Sequence, residues 1–133
     1  MTRSLVIDTS VFSEVLRNNP FVNKKLLDEM SADARVLMSA VVYYEIKRGL
    51  LKRDTRRMME HFEAIIAPLP WIDMTRSDWD EAARLWAKSQ RTGLPREDAD
   101  LLIAAQANQR GAVVVTDNVD HFKNTANEWE QWS

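Results

Sequence analysis

Leu5-Val6-Ile7-Asp8-Thr9-Ser10-Val11-Phe12 is the stretch that decides the fold. Three apolar residues in a row, stopped by a carboxylate, read as a short strand covered on both faces, since a strand with one wet face alternates apolar and polar residues. Thr9 and Ser10 can cap the helix that follows, where Val11, Phe12, Val15 and Leu16 recur on one helical face. A buried strand feeding a helix is the first half of a β-α-β unit, and repeated units of that kind build a parallel sheet.

The same pattern returns downstream. Asn18-Asn19-Pro20 ends the first helix, because the residue before proline is pushed out of the helical region. A second helix is expected from about Phe21 to Met30, with Phe21, Val22, Leu26, Leu27 and Met30 inward. Arg35-Val36-Leu37-Met38 reads as the second strand, and Ser39 as the cap of a helix carrying Val42, Glu45, Ile46 and Leu50. Asp54 is placed to cap another helix, with Met58, Met59, Phe62, Ile65 and Ile66 on its apolar face. Pro68 and Pro70 bracket a short edge strand at Trp71-Ile72.

A long amphipathic helix is expected from about Ser77 to Thr92, with Trp79, Ala82, Ala83, Trp86 and Ala87 inward and Gly93 as its stop. Pro95 to Arg110 is the next helix, closed by Gly111, and Ala112–Thr116 the next buried strand, ending at Asp117. A helical turn near Phe122 and a last strand around Glu128–Trp132 complete the pattern. The expectation is one α/β domain over residues 1–133, three layers (α/β/α) around a central, mostly parallel sheet of four to five strands.

Composition removes most chemistries. There is no Cys, so disulfides, thiol nucleophiles, thiolate zinc sites and Fe–S clusters are excluded. Two His, at positions 61 and 121, cannot make a three-His metal site, and neither has an evident partner in the sequence. The isolated Gly49, Gly93 and Gly111 form no phosphate-binding loop. Carboxylates remain, 20 Asp and Glu among 133 residues. No apolar run approaches the ~18 residues of a membrane span. Asp8 interrupts the start before a signal-peptide apolar region can form, so a cytoplasmic protein with no membrane contact is expected.

Open α/β sheets place their functional crevice beyond the carboxyl ends of the strands. Asp8 and Asp117 stand at two such ends, Glu45 two turns into the helix after the second strand, and Asp100 near the start of the helix before the last core strand. Converging carboxylates repel, so protons or a cation must accompany them. All-oxygen donor sets of this kind suit Mg²⁺ or Mn²⁺, which activate water toward a phosphodiester and stabilise the leaving oxygen. Each acid also has a plainer reading. Asp8 can cap a helix, Glu45 can pair with Arg48 and Asp100 with Arg96. Asp98, two positions away, points elsewhere on the helix and reads as a cap or a solvated residue. In the loop after the last core strand, Asp117, Asn118 and Asp120 are all available as the fourth ligand.

At these residues the chain resembles the PIN-domain ribonucleases, specifically the VapC-type toxins of toxin–antitoxin pairs. Leu5–Val11 resembles the family's opening strand and Asp-Thr-Asn/Ser signature; Ser39–Gly49, its Ser…Glu…Gly segment. Asp100-Leu101-Leu102-Ile103-Ala104-Ala105 resembles its Asp-x-x-Ile-Ala-Ala helix, which selects Asp100 over Asp98. Val114-Val115-Thr116-Asp117-Asn118 with Phe122 resembles its Val-Thr-x-Asp/Asn…Phe loop, and Trp132 its usual terminal Trp. The resemblance implies that Asp8, Glu45 and Asp100 bind Mg²⁺ or Mn²⁺. Many relatives carry Asp where this chain has Asn118, so the fourth acid is assigned to the neighbouring Asp117, with Ser10, Asn118 and Asp120 in support. It further implies RNA cleavage (often of tRNA), restraint by an antitoxin protein, and a homodimer.

A net charge of −2 conceals a basic segment, in which Lys47, Arg48, Lys52, Arg53, Arg56 and Arg57 meet Asp54 alone. That segment is a candidate RNA contact beside Glu45. Met58, Met59, Phe62, Ile65 and Ile66 read as core, with part of the stripe available as a groove for an antitoxin helix. Two other readings remain: a Mg²⁺-dependent phosphatase or phosphoaspartyl protein using Asp8 as nucleophile, against which Ser10 stands where that chemistry needs a second acid, and a non-catalytic PIN-like binding module.

Overall fold

The computed structural model describes residues 2–132. Five strands, β1 (Ser4–Ile7), β2 (Arg35–Ser39), β3 (Trp71–Ile72), β4 (Val113–Thr116) and β5 (Trp129–Gln131), form a sheet in the order β3-β2-β1-β4-β5. Every pairing is parallel, with Leu5 opposite both Val36 and Val113. β1 is thus the middle strand, and Leu5 and Val6 are wholly buried, as the unbroken apolar run requires.

Among the described residues, seven helices connect the strands: α1 (Thr9–Leu16), α2 (Pro20–Ser31), α3 (Ala40–Arg53), α4 (Arg56–Ile66), α5 (Arg76–Arg91), α6 (Asp98–Gln109) and the short α7 (Val119–Phe122). α1 packs on α2, α3 and α4, while α6 packs on α5 and α7 and against β1 and β4. The result is the expected three-layer α/β/α arrangement. Ser39 caps α3 as its sequence position suggests, accepting from the Val41 and Val42 backbone N–H groups. It is also buried and hydrogen-bonded to Gln106, whose amide donates to the Ile72 carbonyl at 3.2 Å. This contact fastens α6 to the ends of β2 and β3.

Several local expectations are corrected. Asp8, not Thr9 or Ser10, caps α1, and its carboxylate accepts from Val11 N at 3.1 Å. An ionised acceptor at a helix N-terminus makes a stronger cap than a hydroxyl. Asp54 does not cap α4; it closes α3 in the left-handed conformation (φ 52°), leaving Thr55 at the head of α4 without a side-chain cap. α6 starts at Asp98 rather than Pro95, because Glu97 is still extended (φ −70°, ψ 148°).

Two faces were also misassigned. On α2 only Val22 of the expected inward set is fully buried, and Phe21 and Leu27 are 51% and 65% exposed. On α5 the inward stripe is Asp78, Ala82, Leu85 and Ser89, while Trp79 and Trp86 are 53% and 49% exposed and Ala83 also faces outward. The first turn sets that rotation. Asp78 and Thr75 form a reciprocal capping box, and Arg110 of the α6 C-cap draws the Asp78 carboxylate inward at 2.8 Å. An apolar stripe yields to a buried ion pair one position away.

Candidate active site

Parallel β2, β1 and β4 bring Ser39, Ile7 and Thr116 to the same edge of the sheet. Asp8 stands one residue beyond β1, and its backbone N–H extends the ladder by donating to the Val115 carbonyl at 2.9 Å. Its side chain is fixed on both oxygens. Oδ1 accepts from Val11 N and, at 2.8 Å, from Ser10 Oγ; Oδ2 accepts from Thr116 Oγ1 at 2.6 Å. Thr116 Oγ1 in turn accepts from Asn118 N at 2.8 Å. Ser10 is therefore a donor to the central acid, and Asn118 serves through its backbone.

Glu45, on the second turn of α3, accepts from Thr9 Oγ1 at 2.5 Å and lies 3.6 Å from Arg48. Asp100, on the first turn of α6, meets His121 Nδ1 at 3.1 Å. Burial pushes the Asp100 carboxyl above its ordinary value; His121 opposes that rise, and Glu45, Glu97 and Asp8 add to it. Asp117 is raised as well, first by burial and then by the charges of Asp8 and Glu14. These mutual repulsions link all four acids on one rim. Asp117 Oδ1 is buried and has no hydrogen-bond partner among the described residues.

The carboxylates do not close into a cage. Among the described residues, no three acidic or imidazole groups stand close enough to enclose a cation as the side chains lie. Each of Asp8, Glu45 and Asp100 meets a protein donor instead: Ser10 and Thr116, Thr9, and His121 respectively. The donor set still fits a hard divalent ion: it is all oxygen, two of its members are raised in pKa by burial and secondarily by like charge, and one buried acceptor is orphaned. Asp120 lies apart, exposed and paired with Lys123 at 3.0 Å, whose ammonium holds its carboxyl below the ordinary value.

The basic segment divides. Lys47 is engaged by the Tyr43 hydroxyl at 2.6 Å and by Glu63 at 3.2 Å, and Arg56 lies 3.8 Å from Glu60. Arg48 packs over the Tyr44 ring beside Glu45. Arg53 lines a 140 Å³ groove with Thr9, Glu45 and Met58, while Lys52 and Arg57 are exposed on the surface. Four residues of the site are not tied to its acids by the sequence: Thr9, expected only as a helix cap, and Glu14, Thr116 and His121. His121 had a usable signal, lying four positions after Asp117 on the same rim. Thr9 and Thr116 lie within the motifs that carry the family resemblance, but composition and spacing alone do not distinguish a threonine next to a strand end.

A family model described as PIN domain matches residues 5–128. The chain is 32% identical to the Plasmid stability protein StbB of Pseudomonas syringae pv. tomato, an alignment covering 95% of this chain and 99% of that one. It is 28% identical to Ribonuclease VapC19 of Mycobacterium tuberculosis, over 88% and 90% of the two chains. Among solved structures, the DNA-bound VapBC of Salmonella typhimurium superposes with a TM-score of 0.87 at 25% identity, both chains fully covered. VapBC2 of Rickettsia felis bound to a promoter DNA fragment gives the same score at 22% identity over 98% and 99%, a match of fold. With the family model covering residues 5–128, which hold β2, β3, β4, nearly all of β1 and the four acids of the rim, the chain belongs to the PIN-domain family.

Proposed function

We propose that the protein is a divalent-metal-dependent endoribonuclease acting as the toxin of a toxin–antitoxin pair in the cytoplasm. The observation that carries this reading is the position of four acids at one end of the sheet: Asp8 and Asp117 directly after β1 and β4, Glu45 on the second turn of α3 after β2, and Asp100 on the first turn of α6 beside His121. Support comes from relatives named Ribonuclease VapC and from fold neighbours that are VapBC complexes. No helix among the described residues is long and apolar enough to cross a membrane.

Asp8, Glu45, Asp100 and Asp117 would hold Mg²⁺ or Mn²⁺, which when bound would supply Lewis-acid activation of water and of the scissile phosphate. The chain's own residues prepare the site. Ser10 and Thr116 lock Asp8 in one orientation, Thr9 holds Glu45, and His121 positions Asp100. Arg48 and Arg53 stand where an RNA backbone would pass Glu45. The phosphoaspartyl alternative loses ground because Ser10, in place of its second acid, donates to Asp8 rather than sitting free to move a proton.

Two partners belong to this reading. The groove between α1, α3 and α4 runs from Met58 and Leu50 to Thr9 and Glu45, so an antitoxin segment laid there would cover the acids. A second copy of the chain would pack on the apolar hollow of 300 Å³ lined by Trp79, Ala83, Trp86 and Leu102. The deciding experiment is incubation of purified protein with total RNA in Mg²⁺, in Mn²⁺ and in EDTA. Chelator-sensitive cutting at few sites is expected. No cutting in either metal would overturn the proposal.

A further inference from the structure

A cavity of 460 Å³ opens between the C-terminal end of α5, the approach to α6 and residues 123–127, and nothing in the account of the acids uses it. Arg84, Lys88, Arg96 and Lys123 line it, and no acidic residue does. In a chain of net charge −2, four cations around one hollow are a local reversal of sign. Two of them have charge partners, Arg84 in Glu81 at 2.8 Å and Lys123 in Asp120. Lys88 and Arg96 enter no ion pair among the described residues, and Arg96 Nε is a buried donor with no acceptor. A desolvated guanidinium donor left unmatched is costly, and an anion oxygen is the natural match for it.

The cavity adjoins the acid centre through α7. His121 of that helix touches Asp100, and Lys123, which caps it, lines the cavity. Arg96 stands four residues before Asp100 on the way into α6. Because β1 lies between β2 and β4, the α3 side with Arg48 and the α7 side with Lys123 leave the rim on opposite flanks of Asp8. Cations on both flanks offset the repulsion that four carboxylates exert on an incoming polyanion. Exposed Leu94 adds an apolar surface at the cavity wall, suited to an unstacked base.

We propose that this cavity binds the phosphodiester backbone of single-stranded RNA on the α7 flank of the acid centre, with Lys88 and Arg96 as its free cations. The inference rests on the nuclease reading above and assigns it a substrate track. Two adjacent phosphates gripped by Lys88 and Arg96 account for the unpaired charges, and Lys123 can exchange Asp120 for a third.

The test uses the full chain carrying Asp8→Asn to stop cutting, with a fluorescent single-stranded RNA 20-mer titrated at several salt concentrations. The pair Lys88→Glu and Arg96→Glu should weaken binding by about tenfold or more and lower the log–log salt slope by about 1.4, because each phosphate neutralised on a single strand contributes ~0.7. The pair Lys25→Glu and Arg76→Glu makes the same charge change away from the cavity and should leave affinity within about threefold. Equal loss in both pairs, or no loss in the first, overturns the cavity site; so does a first pair that binds RNA normally but no longer retains an acidic partner peptide. Lys88→Gln with Arg96→Gln, melting at the temperature of the unaltered chain, shows the effect without charge reversal. Cleavage by the unaltered chain in Mg²⁺ is measured in parallel. Binding lost with the first pair while the unaltered chain cuts nothing defeats the nuclease reading and leaves the RNA site standing.

Discussion

Thr116 Oγ1 donates to Asp8 Oδ2 at 2.6 Å, joining the ends of two neighbouring parallel strands across 108 residues of sequence. Both groups are buried. Thr116→Val keeps the shape and removes the donor, so one carboxylate oxygen loses its bond. Stability should fall by about 1–3 kcal/mol, and RNA cleavage by roughly 10–100-fold, as when a partner orienting a metal ligand is lost. Thr116→Ser should recover most of both. Thermal melting and a cleavage assay on the same preparations check this; a fully active, equally stable Val variant would refute it.

Asp8 has two separable tasks, capping α1 and serving the acid centre. Asn caps a helix as well as Asp does, whereas Ala loses about 1 kcal/mol. Asp8→Asn should therefore abolish RNA cleavage and growth inhibition with a near-normal melting temperature. Asp8→Ala should be equally inactive and measurably less stable. Activity in the Asn variant would remove Asp8 from the reaction.

The Asp78–Arg110 pair makes stability depend on acid. Burial alone would raise the Asp78 carboxyl, but hydrogen bonds from Arg110 and the Thr75 backbone outweigh it and hold it below its ordinary value. The unfolded carboxyl takes a proton near about 3.9; the folded one does so only at lower pH. The contribution is fully present above the unfolded value and is lost as pH falls through the folded one. Urea midpoints measured from pH 6 to pH 2 should decline along that limb. Arg110→Ala, which strands a wholly buried carboxylate, should cost about 3–5 kcal/mol at neutral pH.

Trp79 and Trp86 face solvent on α5, with Ala83 between them. Replacing both by Glu should leave the melting temperature of the isolated fold within a few degrees and, if the proposed dimer forms through this face, lower the sedimenting mass to that of a monomer. A monomeric unaltered chain, or a dimer mass that the double substitution leaves unchanged, would refute this contact.

The sheet was readable because its core strands are unbroken apolar runs stopped by polar residues, so Ile7, Met38 and Val115 announce where each strand ends. The position of Asp8, Glu45, Asp100 and Asp117 at one end of the sheet was readable because each follows a strand end directly or lies on the first two turns of a helix beside one. What could not be read was rotation. Trp79 and Trp86 satisfy helical spacing as well as Ala82 and Leu85 do, and only the distant Arg110 decides which pair faces in. The same holds for Thr9, Thr116 and His121, whose partners lie on other elements. The α7 cavity draws its cations from α5, the α6 approach and α7, so no single segment is basic enough to signal it.

The position of β1 between β2 and β4 also bears on timing. A chain made from its N-terminus carries Asp8 early, gains one flanking strand at Arg35–Ser39, and waits until Val113–Thr116 for the other. At synthesis rates of ~5–20 residues per second, the gap of 108 residues between Asp8 and Thr116 lasts on the order of 5 to 20 s. Throughout that interval the growing polypeptide lacks the hydroxyl that orients its central acid, the α6 acid or its neighbours arrive late, and the rim is incomplete. The rim is thus made without its central hydrogen bond, and gains it only once Thr116 has followed the three acids that precede it in the chain.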